Sequence, residues 1–276
     1  MNEHVKTVIN QPSRSHQQVA IITGASSGLG RSFATALDQR LPNNIAFWLI
    51  ARHEKGLQET ASELNRNVRL LPLDLTLPES FDSLNTIIEN EKPTVCYLIN
   101  NAGEGRAGYF EEETLVMHRS LSDLNVRAPL LMTSLALPYM ERGSRVLFTA
   151  SVAAFLPQPG FATYASSKAM ILSFGRALAE ELRSRGIYVS VTCPNPMMTN
   201  FFSPEEKDAF QNSFKRISIE DPDVVAKKTL AAVERGRKVI VTGGWGKCIR
   251  IAARIVPTSW LIRIVGWLMR RDRRHT

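Results

Sequence analysis

Short runs of apolar and β-branched residues alternate along this chain with longer stretches whose apolar positions recur every three or four residues. The first such run is Val19–Thr23, and the first helical pattern is Leu29–Arg40. Further strand-like runs fall at Ile45–Ile50, Val68–Leu71, Val95–Ile99, Val146–Thr149, Ile187–Thr192 and Val239–Thr242. Helical patterns lie between them at His53–Asn65, Glu79–Asn90, Thr114–Met140, Tyr164–Arg185 and Asp221–Glu234. This alternation signals βαβ units and a parallel sheet. The strands are apolar almost throughout, so helices must cover both faces. The pattern predicts an α/β fold with one doubly wound parallel sheet and right-handed crossovers.

With 276 residues and 44% apolar content, the chain can bury one large core or at most two modest ones. Residues 19–243 are expected to form that single domain. Residues 1–18 are polar and read as a flexible arm or as a contact to a neighbouring subunit. Residues 244–276 read as a basic amphipathic extension: from Gly246 onward eight Lys/Arg meet one acid, Asp272, so the tail holds +7 of the net +8. The basic balance therefore describes the tail and says little about the main body. Cys96, Cys193 and Cys248 are odd in number and far apart, which argues for a reducing compartment and predicts a cytoplasmic protein. The five scattered histidines offer no zinc site, so a zinc-dependent alcohol dehydrogenase is not expected.

The stretch VAIITGASSGLGRSFA places Gly24, Gly28 and Gly30 at the junction of the first strand and its helix. Missing Cβ atoms permit both a close backbone approach and unusual φ values, and the helix start supplies unpaired N–H groups. Strand, turn and helix in that order are the context a phosphate-binding loop requires. At the end of the second strand, where a ribose 2′-hydroxyl usually meets a carboxylate, the chain offers Ala51 and Arg52. A guanidinium matches a 2′-phosphate, so NADP is favoured, with NAD the other candidate. Asp74 follows the third strand, where it could accept a hydrogen bond from the adenine amino group or cap the next helix.

Tyr164 and Lys168 stand four apart in one helical pattern and so share a face. A free phenol titrates near pH 10, and acid–base work near neutrality calls for a downward shift of about 2–3 units. A cation about 4 Å away can supply a shift of that order.

Taken together these residues resemble the short-chain dehydrogenase/reductase family, over about Val19 to Thr242. Its TGxxxGxG loop is matched by Thr23-Gly24-Ala25-Ser26-Ser27-Gly28-Leu29-Gly30, and its NNAG motif by Asn100-Asn101-Ala102-Gly103. A helical asparagine appears as Asn125, a serine after the fifth strand as Ser151, and YxxxK as Tyr164 and Lys168. The resemblance implies a Rossmann-like sheet and catalysis by Ser151, Tyr164, Lys168 and Asn125. In that scheme Tyr164 gives the proton and Ser151 steadies the substrate oxygen. Lys168 holds the nicotinamide ribose, and Asn125 anchors a water that relays the proton. Cofactor contacts are implied at Gly24, Ser26, Ser27, Gly28, Leu29 and Gly30, at Arg52, Asp74 and Leu75, and at Asn101, Ala102 and Gly103. Tyr164, Lys168, Pro194 and Thr199 complete the set. One motif departs: PGxxxT is here Pro194-Asn195-Pro196-Met197-Met198-Thr199, where asparagine is tolerable in the glycine's place because it also visits left-handed conformations.

The following stretch carries Met197, Met198, Phe201, Phe202, Phe210 and Phe214, which suit either an apolar pocket or a lid packed on the body. A bulky lipophilic carbonyl or alcohol, steroid-like or acyl, fits the pocket reading. In the tail, Lys247, Arg250 and Arg254 recur at helical spacing, set opposite Ile251 and Ile255. Trp260, Leu261, Ile264, Val265 and Leu268 follow, with Arg263 and Arg270. No apolar span is long enough to cross a bilayer. The tail suits peripheral contact with the cytoplasmic face of a membrane, a cover for the pocket, or a contact between subunits. Its apolar half argues against nucleic acid as the partner. A homo-oligomer is expected, and a non-catalytic nucleotide-sensing or scaffold protein of the same fold is the competing function. That competitor would not need both Tyr164 and Lys168.

Overall fold

The computed structural model describes residues 17–198 and 219–272. Seven parallel strands form one sheet in the order β3-β2-β1-β4-β5-β6-β7. They are β1 (Gln18–Thr23), β2 (Ala46–Ala51), β3 (Val68–Pro72), β4 (Thr94–Asn100), β5 (Arg145–Thr149), β6 (Tyr188–Thr192) and β7 (Val239–Ile240). The order reverses between β1 and β4, and at such a switch point the connecting loops diverge and open a crevice.

Successive strand residues point to opposite faces. Val19 and Ile21 of β1 and Trp48 and Ile50 of β2 enter one core, while Ala20, Ile22, Phe47 and Leu49 enter the other. Helices α3 (Pro78–Glu91), α5 (Ala128–Ala136) and α6 (Ala162–Glu181) cover the first face through Leu84, Met132 and Ile171. Helices α1 (Gly28–Asp38), α2 (Glu54–Ser62) and α7 (Pro222–Glu234) cover the second through Phe33, Leu57 and Leu230. Each large side chain so buried contributes about 1.5–3 kcal/mol. That is why strands read as continuous apolar runs, and the predicted α/β architecture is the one observed.

Two predicted elements differ. The helix expected over Thr114–Met140 is divided into α4 (Leu115–Ser122), a π-turn at Asp123–Arg127, α5, and a final 3₁₀ turn at Leu137–Tyr139. In the π-turn the Ala128 N–H reaches back to the Asp123 carbonyl. Pro129 follows directly and has no N–H to continue the α-helical ladder. The last strand stops at Ile240 instead of Thr242, because the Thr242 hydroxyl donates to the Glu220 carboxylate at 2.7 Å and draws the chain out of the sheet.

Beyond β7 the tail forms α8 (Gly244–Ile255) and α9 (Thr258–Asp272). Both pack against the segment after β5. A Cβ on Gly246 would stand 2.5 Å from a methyl of Val152, and one on Gly266 would stand 3.5 Å from the Pro159 ring. The basic residues and isoleucines of α8 were expected on opposite sides. Instead Ile251 and Ile255 are exposed together with Lys247 and Arg254, and Arg250 turns inward over the Phe155 ring at 5.9 Å. Among the described residues no helix is long and apolar enough to cross a membrane.

Candidate active site

The crevice at the switch point is built on the turn after β1. Gly24 and Gly28 have φ of 67° and 53°, the left-handed region that favours glycine. Gly30 is needed for space: a Cβ there would lie 2.0 Å from the Gly24 carbonyl oxygen and 2.8 Å from the Asn101 amide nitrogen. Helix α1 begins with Ser27 extended and making no side-chain cap, and its first turn holds no acid. Its first N–H groups and positive dipole end therefore face outward without a side-chain acceptor, which fits a phosphate. Leu29 itself is buried in the core below.

The second wall comes from β4. The Thr23 hydroxyl accepts the N–H groups of Asn101 and Ala102, both at 3.0 Å, and donates to the Ile99 carbonyl at 3.3 Å. The Asn101 amide donates to the Thr23 carbonyl at 3.3 Å and its oxygen accepts from Thr149 at 3.2 Å. The Thr149 carbonyl then accepts from the Lys168 ammonium at 3.1 Å. One chain of hydrogen bonds thus runs from the glycine turn to the lysine.

Lys168 and Tyr164 do share a face of α6, with the Lys168 nitrogen 5.7 Å from the centre of the phenol ring. Lys168 is 4% exposed, and burial pushes its amine down to about 8. Burial also pushes the Tyr164 phenol up to about 12, opposed by its hydrogen bond with Ser151. The expected downward shift of the phenol is therefore not present: removing a phenolate from water outweighs every nearby favourable group. Ser151 sits extended at the head of a 3₁₀ turn, Val152–Phe155, and accepts from the Ala153 N–H at 3.2 Å. The Val152 N–H donates to the Pro194 carbonyl at 3.1 Å, which brings the end of β6 to the same place.

Asn125 lies in the π-turn, fully buried. Its oxygen accepts from the Glu104 N–H at 2.9 Å, and its amide donates to the Glu104 carbonyl at 2.8 Å and to Ser167 at 3.2 Å. A Cβ on Gly103 would meet both the Asn125 oxygen, at 3.0 Å, and the Lys168 nitrogen, at 3.1 Å. Gly103, Asn125 and Lys168 are thus brought together. Asp74 does not cap α3, whose N-cap is Leu77; its carboxylate accepts instead from the N–H and hydroxyl of Thr76, at 2.9 and 2.8 Å. Leu75 is buried, with its side chain in the core.

Arg52 is exposed just beyond β2. Next to its neighbour His53 a cavity of about 400 Å³ is walled by Ser26, Ser27, Gly28, Arg31, His53, Gly56 and Glu59. Sequence reading missed His53, for which only its neighbour Arg52 was a signal. It also missed Arg31, which lines the same cavity, donates to the Ser26 carbonyl at 3.0 Å and pairs with Glu59 at 2.8 Å. Thr149 was missed too, since a threonine ending a strand carries no chemical signature.

Asn195 is buried, and its φ is not positive; Lys92 alone among the described non-glycine residues has positive φ. Asn195 takes the glycine's place because its N–H donates to Glu220 at 3.0 Å and its side chain packs against Gly243 and Gly246. Met197 packs, partly buried, on the second core. Thr199, Phe201, Phe202, Phe210 and Phe214 lie outside the described residues.

A nucleotide cradle at a sheet switch point, with a phenol, serine and buried amine beside it, defines a nicotinamide-dependent oxidoreductase of the Rossmann-like class. The short chain dehydrogenase family model matches residues 18–209, and the chain belongs to the short-chain dehydrogenase/reductase family of NAD(P)-dependent oxidoreductases. The 3-oxoacyl-(acyl-carrier-protein) reductase FabG of Vibrio cholerae is 28% identical over 241 residues, spanning 82% of this chain and 96% of its own. The 17-beta-hydroxysteroid dehydrogenase type 3 of Mus musculus is 31% identical over 195 residues, spanning 67% of this chain and 62% of its own. A short-chain dehydrogenase from Sphingobium yanoikuyae, solved in complex with NADPH, is similar with a TM-score of 0.70 and 26% identity, covering 81% of this chain and 87% of that one.

Proposed function

We propose that the protein is an NADP-dependent oxidoreductase that interconverts a carbonyl and a secondary alcohol on a lipophilic substrate, steroid-like or acyl. The observation that carries this reading is the Tyr164 phenol, hydrogen-bonded to Ser151 and one helical turn from the buried amine of Lys168. When bound, the nicotinamide supplies or accepts the hydride.

The chain's own residues divide the remaining work. The glycine turn, Ser26, Ser27 and the start of α1 hold the diphosphate, and Arg52 with His53 receives the ribose 2′-phosphate. Asp74 and Leu75 border the adenine, and Asn101 to Gly103 form the wall behind the ribose. Lys168 donates to the nicotinamide ribose. Pro194 borders the nicotinamide, and Thr199, outside the described residues, is assigned to it by the family pattern alone. Ser151 donates a hydrogen bond to the substrate oxygen, where negative charge develops. Tyr164 gives that oxygen its proton in reduction and takes it back in oxidation. A phenol held up at about 12 is fully protonated at neutral pH and so is ready as a donor. Asn125 has its side chain engaged on Glu104 and Ser167, so its part in a proton relay falls to its backbone and to the shape of the π-turn.

A lipophilic substrate is supported by the exposed Phe110, Leu115 and Val116. This segment joins the active-site loop where the Gly108 N–H donates to the Gly160 carbonyl at 2.9 Å. The acyl and steroid compounds named for the two relatives are of the same bulky kind. The reading includes the division into an arm at 1–18, a catalytic domain at 19–243 and a tail at 244–276. It also includes a homo-oligomer in the cytoplasm, measurable by light scattering, with the tail on the membrane's cytoplasmic face.

Two experiments test the reading. Tyr164→Phe should abolish turnover of a ketone panel while NADPH still binds, and a variant that kept most of its rate would overturn the proton assignment. Replacing Ala51-Arg52 with Asp-Leu should weaken NADPH by about tenfold or more and improve NADH, because attraction to a 2′-phosphate becomes repulsion. An unchanged ratio of the two affinities would remove Arg52 from the site.

A further inference from the structure

Successive residues of an α-helix are turned by about 100°, so positions three, four and seven apart share a face. In α8 that rule places Lys247, Ile251, Arg254 and Ile255 together and Gly246 on the other side, with Arg250 at the border between the two and turned over the Phe155 ring. Burial follows the same division. Gly246 is buried against Val152, whereas Ile251 and Ile255 are 58% and 76% exposed. In α9 the buried position is Gly266, facing Pro159, and the outward one holds Trp260 and Ile264, 65% and 52% exposed. Arg263 is exposed alongside them, while Arg270, also exposed, reaches back over Gly266. Over residues 244–272 the one acid is Asp272.

Each helix thus shows outward a strip of isoleucine or tryptophan flanked by cations, and rests its small residues on the loop that follows Ser151. Apolar strips of this size are rarely left to water. A second copy is a poor cover, because a symmetric contact would set arginines and lysines against arginines and lysines. Nucleic acid would answer the cations and leave the isoleucines uncovered. A bilayer with anionic headgroups answers both: phosphates and carboxylates meet the cations, and tryptophan and isoleucine enter the headgroup boundary.

We infer that the outward faces of α8 and α9 dock on an anionic lipid surface and that this docking sets the active-site loop, residues 151–161, at the membrane. The inference deepens the reading of a lipophilic substrate and a membrane-bound tail given above. Both helices touch the loop, α8 at Val152 and Phe155 and α9 at Pro159. Gly160 in turn holds Gly108, two residues before the exposed Phe110. The loop is therefore tied both to the apolar faces of the C-terminal helices and to the segment that carries the exposed Phe110. A substrate dissolved in the bilayer reaches Tyr164 without crossing bulk water.

The test is co-sedimentation of the full chain with phosphatidylcholine vesicles, with and without phosphatidylserine at about a quarter of the lipid. Binding is expected on the anionic vesicles, weak on the neutral ones, and reduced by salt without vanishing. Trp260→Ser with Ile264→Ser should lower partitioning on anionic vesicles by about tenfold or more. Arg254→Gln with Arg263→Gln should lower it by about fivefold per charge there and leave neutral vesicles unaffected. Both variants should keep the melting temperature and the turnover of a water-soluble ketone. No binding by the intact chain at low salt, or undiminished binding by the Trp260/Ile264 variant, overturns the inference. A dimer that this variant dissociates, with no vesicle binding, overturns it in favour of a second copy. Tyr164→Phe should bind vesicles as the wild type does, so a failure of the catalytic reading and a failure of this one remain distinct.

Discussion

The buried Lys168 amine makes a quantitative statement about stability. Its pKa falls from 10.5 to about 8 on folding because the ammonium loses water, with the Thr149 carbonyl as its hydrogen-bond acceptor. Between those two values the unfolded chain binds the proton and the folded chain does not, so stability rises as pH increases through that window. Near pH 7 the folded protein carries nearly the full cost, about 3 kcal/mol, and near pH 9.5 it carries about 1.5 kcal/mol. Lys168→Met keeps the volume and removes the charge, at the loss of one hydrogen bond worth about 1 kcal/mol. The cofactor-free variant should therefore be more stable than wild type by about 2 kcal/mol near pH 7, and close to wild type near pH 9.5. The Tyr164 phenol does not interfere, since its folded pKa is raised and its effect is lost only above pH 10. The assay is urea denaturation of both proteins at the two pH values, comparing the difference between variants. A variant that is destabilised equally at both would show that the amine is not held at a cost. The same charge should make NADPH affinity decline above about pH 8 in the wild type and not in the variant.

Two further substitutions probe the frame around the site. Gly30→Ala puts a methyl 2.0 Å from the Gly24 carbonyl oxygen, so the glycine turn must open, and NADPH affinity should fall by at least about tenfold. A fluorescence titration giving a dissociation constant within about twofold of wild type would contradict the cradle. Arg66→Met removes a fully buried guanidinium that pairs with Asp38 and donates to the carbonyls of Leu41, Pro42 and Ile45. About 3–5 kcal/mol of stability should go with it, while NADPH affinity in the folded protein is unchanged. A loss below about 1 kcal/mol in urea would mean that the loop between α1 and β2 does not depend on this pair.

Sequence alone determined the features that are written in local spacing. The alternation of apolar runs and helical patterns implied the parallel sheet, because a strand covered on both faces has no polar side to display. Gly24, Gly28 and Gly30 declared the phosphate cradle, because only glycine tolerates those torsions and approaches. Tyr164 and Lys168 were legible as a pair, because four residues is one turn. Tertiary structure decided whatever depends on partners far along the chain or on exclusion of water. The helix predicted over Thr114–Met140 is broken just before Pro129, a signal present in the sequence, but that the break carries Asn125 to Glu104, 21 residues away, is a contact that no periodicity encodes. The last strand ends early because Glu220 claims Thr242. Ile251 and Ile255 look outward because Gly246 and Arg250 fit the loop at Val152 and Phe155, and an amphipathic pattern does not say which of its sides meets protein. The phenol is pushed up instead of down for the same reason: a neighbouring lysine is visible in sequence, but the depth of burial that raises the phenol against its Ser151 hydrogen bond exists only once the chain has closed around the site.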